Sequence, residues 1–251
     1  MPPPSTRAKP AFRLPSPETG TTYPIYLATP AAADGIPWTA VLFMDGDYFF
    51  DPAVAAAREL EARGEISPAL IVGVGYGAGF GARNNKRSRD YTPTASALEP
   101  ESGGADVFLR FLINTLWPEL ARRHPVREDA RAIGGHSLGS LLALHAVFQP
   151  QPFFNRCLAS APSIWWDDRS ILANLARLRA AQPSLPARLY LSVGADDTAS
   201  MTGDLILLEQ QLAAQPFTDF RVVSERFPGR DHYNVVPDSL RGGLRALLGR
   251  K

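Results

Sequence analysis

The run Arg131-Ala132-Ile133-Gly134-Gly135-His136-Ser137-Leu138-Gly139-Ser140 places a serine in the pattern G-x-S-x-G, between a short strand-like segment and an amphipathic helical pattern. That context is the one a nucleophile elbow requires. The serine sits on a strained strand-to-helix turn, and the glycines on either side stand where a Cβ would collide with the neighbouring backbone. The helix that follows points its N-terminus at the serine, so backbone N–H groups there, Leu138 N–H among them, can donate to an oxyanion. The chemistry implied is nucleophilic attack by Ser137 through a covalent intermediate.

A serine hydroxyl needs a neutral imidazole to take its proton. The chain has four histidines. His124 ends a helical pattern, His145 lies inside one, and His136 occupies the variable position of the elbow as a packing or orienting residue. His232 remains, in Gly229-Arg230-Asp231-His232-Tyr233, between the last strand pattern and the last helix pattern. The acid that orients this base is expected between nucleophile and base, after the strand Leu189 to Val193. Gly194-Ala195-Asp196-Asp197-Thr198 offers two carboxylates there. Asp197 is favoured over Asp196, a Ser-His dyad being the remaining possibility, and Asp231 reads as a turn residue.

The elements that must position these residues follow from periodicity. Thr39 to Met44, Leu70 to Val74, Arg131 to Gly134, Arg156 to Ala159 and Leu189 to Val193 read as compact strands, with Phe217 to Phe227 as the last one. Helices are expected at Pro52 to Arg63, Ala105 to Arg123, Leu138 to Phe148, Ser170 to Ala181, Asp204 to Ala213 and Pro237 to Leu248. Strands alternating with helices predict an α/β fold, a mostly parallel sheet with helices on both faces in a three-layer sandwich. The domain reading is an N-terminal extension, 1–21, followed by one domain, 22–251. Tyr76 to Gly104 is expected to be a long loop, functional rather than idle, with disorder as the alternative.

Composition restricts the partners. A formal net charge of +1 supplies no broad field for nucleic acid or an anionic membrane, so neither is an expected partner. No stretch approaches the roughly 18 apolar residues of a membrane span, and Met1 to Pro17 has no apolar signal core. The single cysteine, Cys157, excludes an intrachain disulfide and reads as a buried strand residue. A cytoplasmic enzyme is expected. No metal-ligand cluster is visible, and the chemistry needs neither metal nor organic cofactor.

Four further segments carry a family resemblance. Val41-Leu42-Phe43-Met44-Asp45-Gly46-Asp47 has a strand ending in Asp-Gly, Arg89-Asp90-Tyr91-Thr92-Pro93 an Arg-Asp-Tyr-Thr-Pro loop, and Ser163-Ile164-Trp165-Trp166-Asp167-Asp168 a Ser-x-Trp-Trp segment; Asp231-His232-Tyr233 supplies an Asp-His pair. From about Thr39 to Pro237 the chain thereby resembles the putative esterase family of the α/β-hydrolases, which contains ferric enterobactin esterase and esterase D. The resemblance implies an α/β-hydrolase fold and a serine carboxylic-ester hydrolase acting through an acyl-enzyme on a small ester, with a siderophore ester as the family-based substrate. It assigns the second oxyanion-hole amide to Asp47, through its backbone. Ala195 departs from the acidic residue that siderophore esterases of the group often carry at that site.

Trp165 and Trp166 are candidates for a substrate wall or for core packing. Arg89 is a candidate for substrate contact, as part of a cationic rim with Arg83, Lys86 and Arg87 or of a solvated basic loop. Acyl transfer to an alcohol uses the same residues, and a noncatalytic binding protein on this fold is the third alternative.

Overall fold

The computed structural model describes residues 8–31, 35–97 and 99–250. Among them one sheet of eight strands runs in the order β1-β2-β4-β3-β5-β6-β7-β8. These strands are β1 Phe12–Pro15, β2 Thr22–Ala28, β3 Trp38–Met44, β4 Ala69–Val74, β5 Val126–His136, β6 Arg156–Ser160, β7 Ser184–Gly194 and β8 Thr218–Phe227. From β4 through β8 the pairing is parallel; β1 and β2 are antiparallel additions on one side.

The helices are α1 Gly46–Ala62, α2 Arg87–Asp90, α3 Ala105–Phe111, α4 Trp117–Arg123, α5 Leu138–Val147, α6 Trp166–Ala181, α7 Ala199–Ala214 and α8 Val236–Leu248, with a π-helical turn, Leu112–Leu116, joining α3 to α4.

Period-two alternation explains the layers. In β3, Ala40, Leu42 and Met44 face a core shared with α3 through α7, while Val41 and Phe43 face a second core shared with α1 and α8. In β4, Leu70, Val72 and Val74 divide from Ala69 and Ile71 in the same way. Strands buried on both faces read as continuous apolar runs, the pattern of a parallel sheet covered by helices. In α8, Val236, Leu240, Leu244 and Leu247 recur at helical spacing and form the stripe that packs on the second core.

Several expected boundaries shift. The first helix begins at Gly46 rather than Pro52, which lies inside it. The expected Ala105 to Arg123 helix is interrupted by the π-helical turn. β5 and β7 begin five residues before the expected apolar runs, at Val126 and Ser184. Residues 12–15, within the stretch expected as an extension, form edge strand β1 on β2; residues 1–7 lie outside the described residues. Cys157 is fully buried in β6, and burial pushes its thiol well above the ordinary range.

Candidate active site

β5 delivers its last residue, His136, directly into Ser137, which has φ 57° and ψ −121°, and α5 begins at the next residue. Such a backbone is strained for a serine and persists only if its surroundings over-determine it. They do so here through hydrogen bonds. Ser137 N–H donates to the Ser160 carbonyl at 3.0 Å, and the Ser137 carbonyl accepts from the amides of Ser140, Leu141 and Ser163. The Ser140 hydroxyl lies 2.6 Å from the Gly135 carbonyl and 2.7 Å from that of Ser160. A Cβ on Gly135 would stand 2.3 Å from the Gly139 carbonyl carbon, so the strand and helix close on each other only with glycine there.

The end of β3 forms the second wall. Asp45 adopts the left-handed conformation at φ 53°, which Asp tolerates better than most residues, and α1 starts at the next residue. A Cβ on Gly139 would stand 3.1 Å from Met44 Cβ and 3.5 Å from Asp45 Oδ2, so this turn abuts the elbow. Leu138 and Asp47 lie in the first turns of α5 and α1, where helix geometry supplies their amides no intrahelical acceptor.

Side chains brace the Asp45 turn from the long loop. The Asp45 carboxylate, fully buried, accepts from Arg87 Nε at 3.1 Å and Nη2 at 2.9 Å, and Asp45 N–H donates to Tyr91 Oη at 3.0 Å. Burial pushes the Asp45 carboxyl upward and the Arg87 guanidinium opposes that push. Arg87 also lies over the Phe80 ring at 4.5 Å. The Asp47 carboxylate accepts from Tyr26 Oη at 2.7 Å and from the amides of Tyr76 and Gly77, tying the end of β4 to the turn.

The candidate base, His232, comes from the other side of the sheet's carboxyl end. His232 lies in the turn after β8, where Asp231 Oδ1 accepts from the amides of Tyr233 and Asn234 at 2.9 Å; those two bonds hold the Asp231 carboxyl below its usual range. Asp231 is thus a turn residue, as expected. His232 Nδ1 meets Asp197 Oδ2 at 2.8 Å, and Asp197 Oδ1 accepts from Thr198 N–H. The Asp197 side chain is 1% exposed, whereas Asp196 is exposed. The two turns are laced together: Ala195 N–H donates to the Phe227 carbonyl and Asp196 N–H to that of Arg230, both at 2.9 Å. A Cβ on Gly194 would stand 2.1 Å from the Arg230 carbonyl oxygen, which reserves that position for glycine.

With Nδ1–H given to Asp197, Nε2 of His232 is left as the proton acceptor. Ser137 Oγ meets Ser163 Oγ at 3.2 Å rather than the imidazole. Catalytic hydrogen bonds are often long before substrate binds, so this spacing is compatible with His232 as the partner of Ser137. His136 lies beneath the base with ring centroids 4.6 Å apart, and its Nδ1 meets Ser160 Oγ at 3.0 Å. Burial foremost, then the neighbouring His232 and Arg87, hold its pKa well below the ordinary range. His145 pairs with Asp106 at 2.7 Å, away from this cluster, and His124 lies beside Trp38.

Trp166 and Arg89, two of the candidates for substrate contact, are engaged within the protein. Trp166 is 4% exposed, belongs to the core, and donates its Nε1–H to the Thr94 carbonyl at 3.1 Å. Arg89 spends its guanidinium inside the protein, on Asp90 Oδ1 at 2.7 Å, Thr21 Oγ1 at 2.9 Å, Tyr23 Oη and the Thr19 carbonyl. The cationic rim shrinks accordingly, since Arg87 holds Asp45 and Lys86 pairs with Glu101 at 2.7 Å. Trp165, 44% exposed, and Tyr233, 70% exposed, present aromatic surface instead, Tyr233 with its ring 5.4 Å from that of His232. Tyr233, Ser163, Ser140 and the Asp47 carboxylate are contributions that the sequence reading did not assign.

Among the described residues no group of histidine, cysteine and carboxylate side chains is arranged to hold a metal ion, and no helix is long and apolar enough to cross a membrane. The model of the putative esterase family matches residues 13–234. The chain belongs to the putative esterase family. Among curated members, ferri-bacillibactin esterase BesA of Bacillus subtilis is 29% identical over 248 residues, covering 90% of this chain and 85% of that protein. The siderophore triacetylfusarinine C esterase of Aspergillus fumigatus is 40% identical over 141 residues, which span about half of each, 54% of this chain and 48% of that protein. The solved structure of the BES protein from Bacillus cereus superposes with a TM-score of 0.85 at 28% identity, covering 98% of this chain and 96% of that one. Siderophore hydrolase EstB from Aspergillus nidulans shares the fold, with a TM-score of 0.82 at 24% identity. The esterase fold is therefore an α/β-hydrolase fold, as the sequence leads one to expect.

Proposed function

We propose that the protein hydrolyses a siderophore-type carboxylic ester through an acyl-enzyme on Ser137. The observation that carries the reading is the His232 to Asp197 hydrogen bond, 2.8 Å, at the same end of the sheet as the strained Ser137 elbow. Ser137 Oγ attacks the ester carbonyl carbon as its proton passes to His232 Nε2. The amides of Leu138 and Asp47 donate to the oxygen that becomes negative, and the buried Asp197 carboxylate holds the imidazolium. His232 returns the proton to the departing alkoxide, then draws one from water, whose oxygen bonds to the acyl carbon as the bond to Ser137 Oγ breaks and His232 gives that proton back to Oγ.

The substrate class rests on the relatives, which are named for siderophore esters, and on Trp165 and Tyr233, whose exposed rings suit a flat aromatic substrate. The cytoplasm is the compartment that goes with this reading, an enzyme with one buried thiol and no disulfide. The test is turnover of enterobactin, triacetylfusarinine C and a short p-nitrophenyl ester, each followed by release of acid. Hydrolysis of a siderophore ester that is lost in Ser137→Ala is expected. Turnover of the p-nitrophenyl ester alone would keep the esterase chemistry and refute the substrate class; no turnover of any would refute both.

A further inference from the structure

The opposite edge of the sheet carries three arginines on one register row. Arg156, the first residue of β6, lies opposite Arg188 of β7, and Arg188 lies opposite Arg221 of β8. Side chains at facing positions of neighbouring strands point to the same side, with about 4.8 Å between strands. Like charges placed this way repel. A sheet keeps such a row only at a cost, unless something neutralises it.

The surroundings supply little of the neutralising charge: Asp129 acts on Arg156 but is itself paired with Arg127. Arg156 gives Nη1–H to the Leu247 carbonyl at the end of α8, and its Nε is buried without a partner. Desolvation foremost, then the positive charges of Arg188 and Arg127, lower the Arg156 pKa, and Asp129 opposes them. Among the described residues neither Arg188 nor Arg221 forms an ion pair with a carboxylate. The one acid in the row's cavity, Asp219, accepts from Ser184 Oγ at 3.1 Å and, among the described residues, forms no ion pair with the row. That cavity, about 410 Å³, is lined by the three arginines together with Asn155, Asp219 and Phe220. Since the strands run from this row toward His136 and Ser160, it lies at the end of the sheet away from Ser137.

We infer that this row is a binding site for a phosphate group, separate from the esterase centre. Guanidinium groups present planar pairs of N–H donors that match phosphate oxygens, and a dianion would relieve the repulsion along the row. The phosphate comes either as the free ion or as the end of a nucleotide, and the two are separable by experiment.

The test is thermal denaturation and calorimetric titration of the whole protein with inorganic phosphate and, separately, with adenosine monophosphate, against sodium chloride at equal ionic strength. Phosphate is expected to raise the melting temperature beyond the chloride control and to bind about tenfold more weakly once Arg188→Gln or Arg221→Gln removes a charged donor. Arg221→Gln should itself melt no lower than the parent without phosphate, because it removes repulsion and exposes nothing. Ester turnover should be unchanged in both variants. Tighter binding of the nucleotide assigns the site to nucleotides, and equal or weaker binding assigns it to the free ion. No stabilisation beyond chloride by either compound, or stabilisation that survives in both variants, overturns the inference.

Discussion

Asp197 Oδ2 and His232 Nδ1 meet at 2.8 Å across 35 residues of chain, while the carboxylate of Asp196, one residue earlier, stays exposed. Asp197→Asn is therefore expected to lower kcat by about 10⁴-fold, the scale on which loss of the orienting carboxylate disables a serine hydrolase. Asp196→Asn should change it by no more than about twofold, as a surface change away from the site does. Steady-state kinetics on one ester decides, and equal losses in the two variants would reject the assignment.

Ser137→Ala and His232→Ala should each reduce kcat by about four to six orders of magnitude, and the double variant little further, because the two act as a unit. A fluorophosphonate should label Ser137 alone. Peptide mapping after labelling checks this, and a label on Ser163, the hydroxyl 3.2 Å away, would exchange their roles.

Arg87→Ala leaves the fully buried Asp45 carboxylate without its bidentate partner, and loss of one member of a buried pair costs about 3–5 kcal/mol. Because that pair braces the turn preceding the Asp47 amide, kcat should fall while KM moves less. Urea denaturation and kinetics on the same preparation test both. An unchanged midpoint together with unchanged kcat would show that the turn holds without the pair.

His136 supplies the pH dependence. Its folded-state pKa lies well below the unfolded value of about 6.5, so below that pH the unfolded chain takes up a proton that the folded protein refuses, and stability falls as pH drops through about 6.5. His136→Gln should flatten the decline in melting temperature between neutral and mildly acidic pH. Parallel curves for parent and variant would contradict the linkage.

The two tryptophans should separate cleanly. Trp166→Ala removes a core side chain and is expected to cost about 3–5 kcal/mol of stability. Trp165→Ala should leave stability unchanged and raise KM for an aromatic ester by about two- to tenfold, the worth of one ring contact. If KM for aromatic and acetyl esters rises equally, Trp165 does not read the aromatic group.

What was legible in the sequence follows from what local patterns encode. β3 and β4 are buried on both faces, so their apolar runs announce them, and the elbow's glycines mark a turn that only glycine permits. β2 was not legible, because Pro24 lies inside it and proline argues against a strand interior; the pairing of Arg13 with Pro24 is set by the sheet, not by the segment. Arg89 and Trp166 look like surface chemistry until their partners appear, and those partners are remote: Thr21 is 68 residues from Arg89, and Thr94 is 72 from Trp166. The Asp47 carboxylate was hidden for the same reason, since Tyr26 and Tyr76 reach it only after β2 and β4 pair.

The site hangs from two parts of the sheet that differ in how firmly they are held. The proposed nucleophile, Ser137, and the Asp45 turn leave β5 and β3, which have neighbours on both sides, but the proposed base, His232, follows β8, an edge strand bonded to β7 alone. Outer strands open more readily than inner ones. On warming, the pairing of β7 with β8 should loosen before the pairings of β3 and β5, letting His232 drift from Asp197 while the elbow keeps its shape. The enzyme would then lose turnover at temperatures where the bulk of its secondary structure survives, and recover it on cooling.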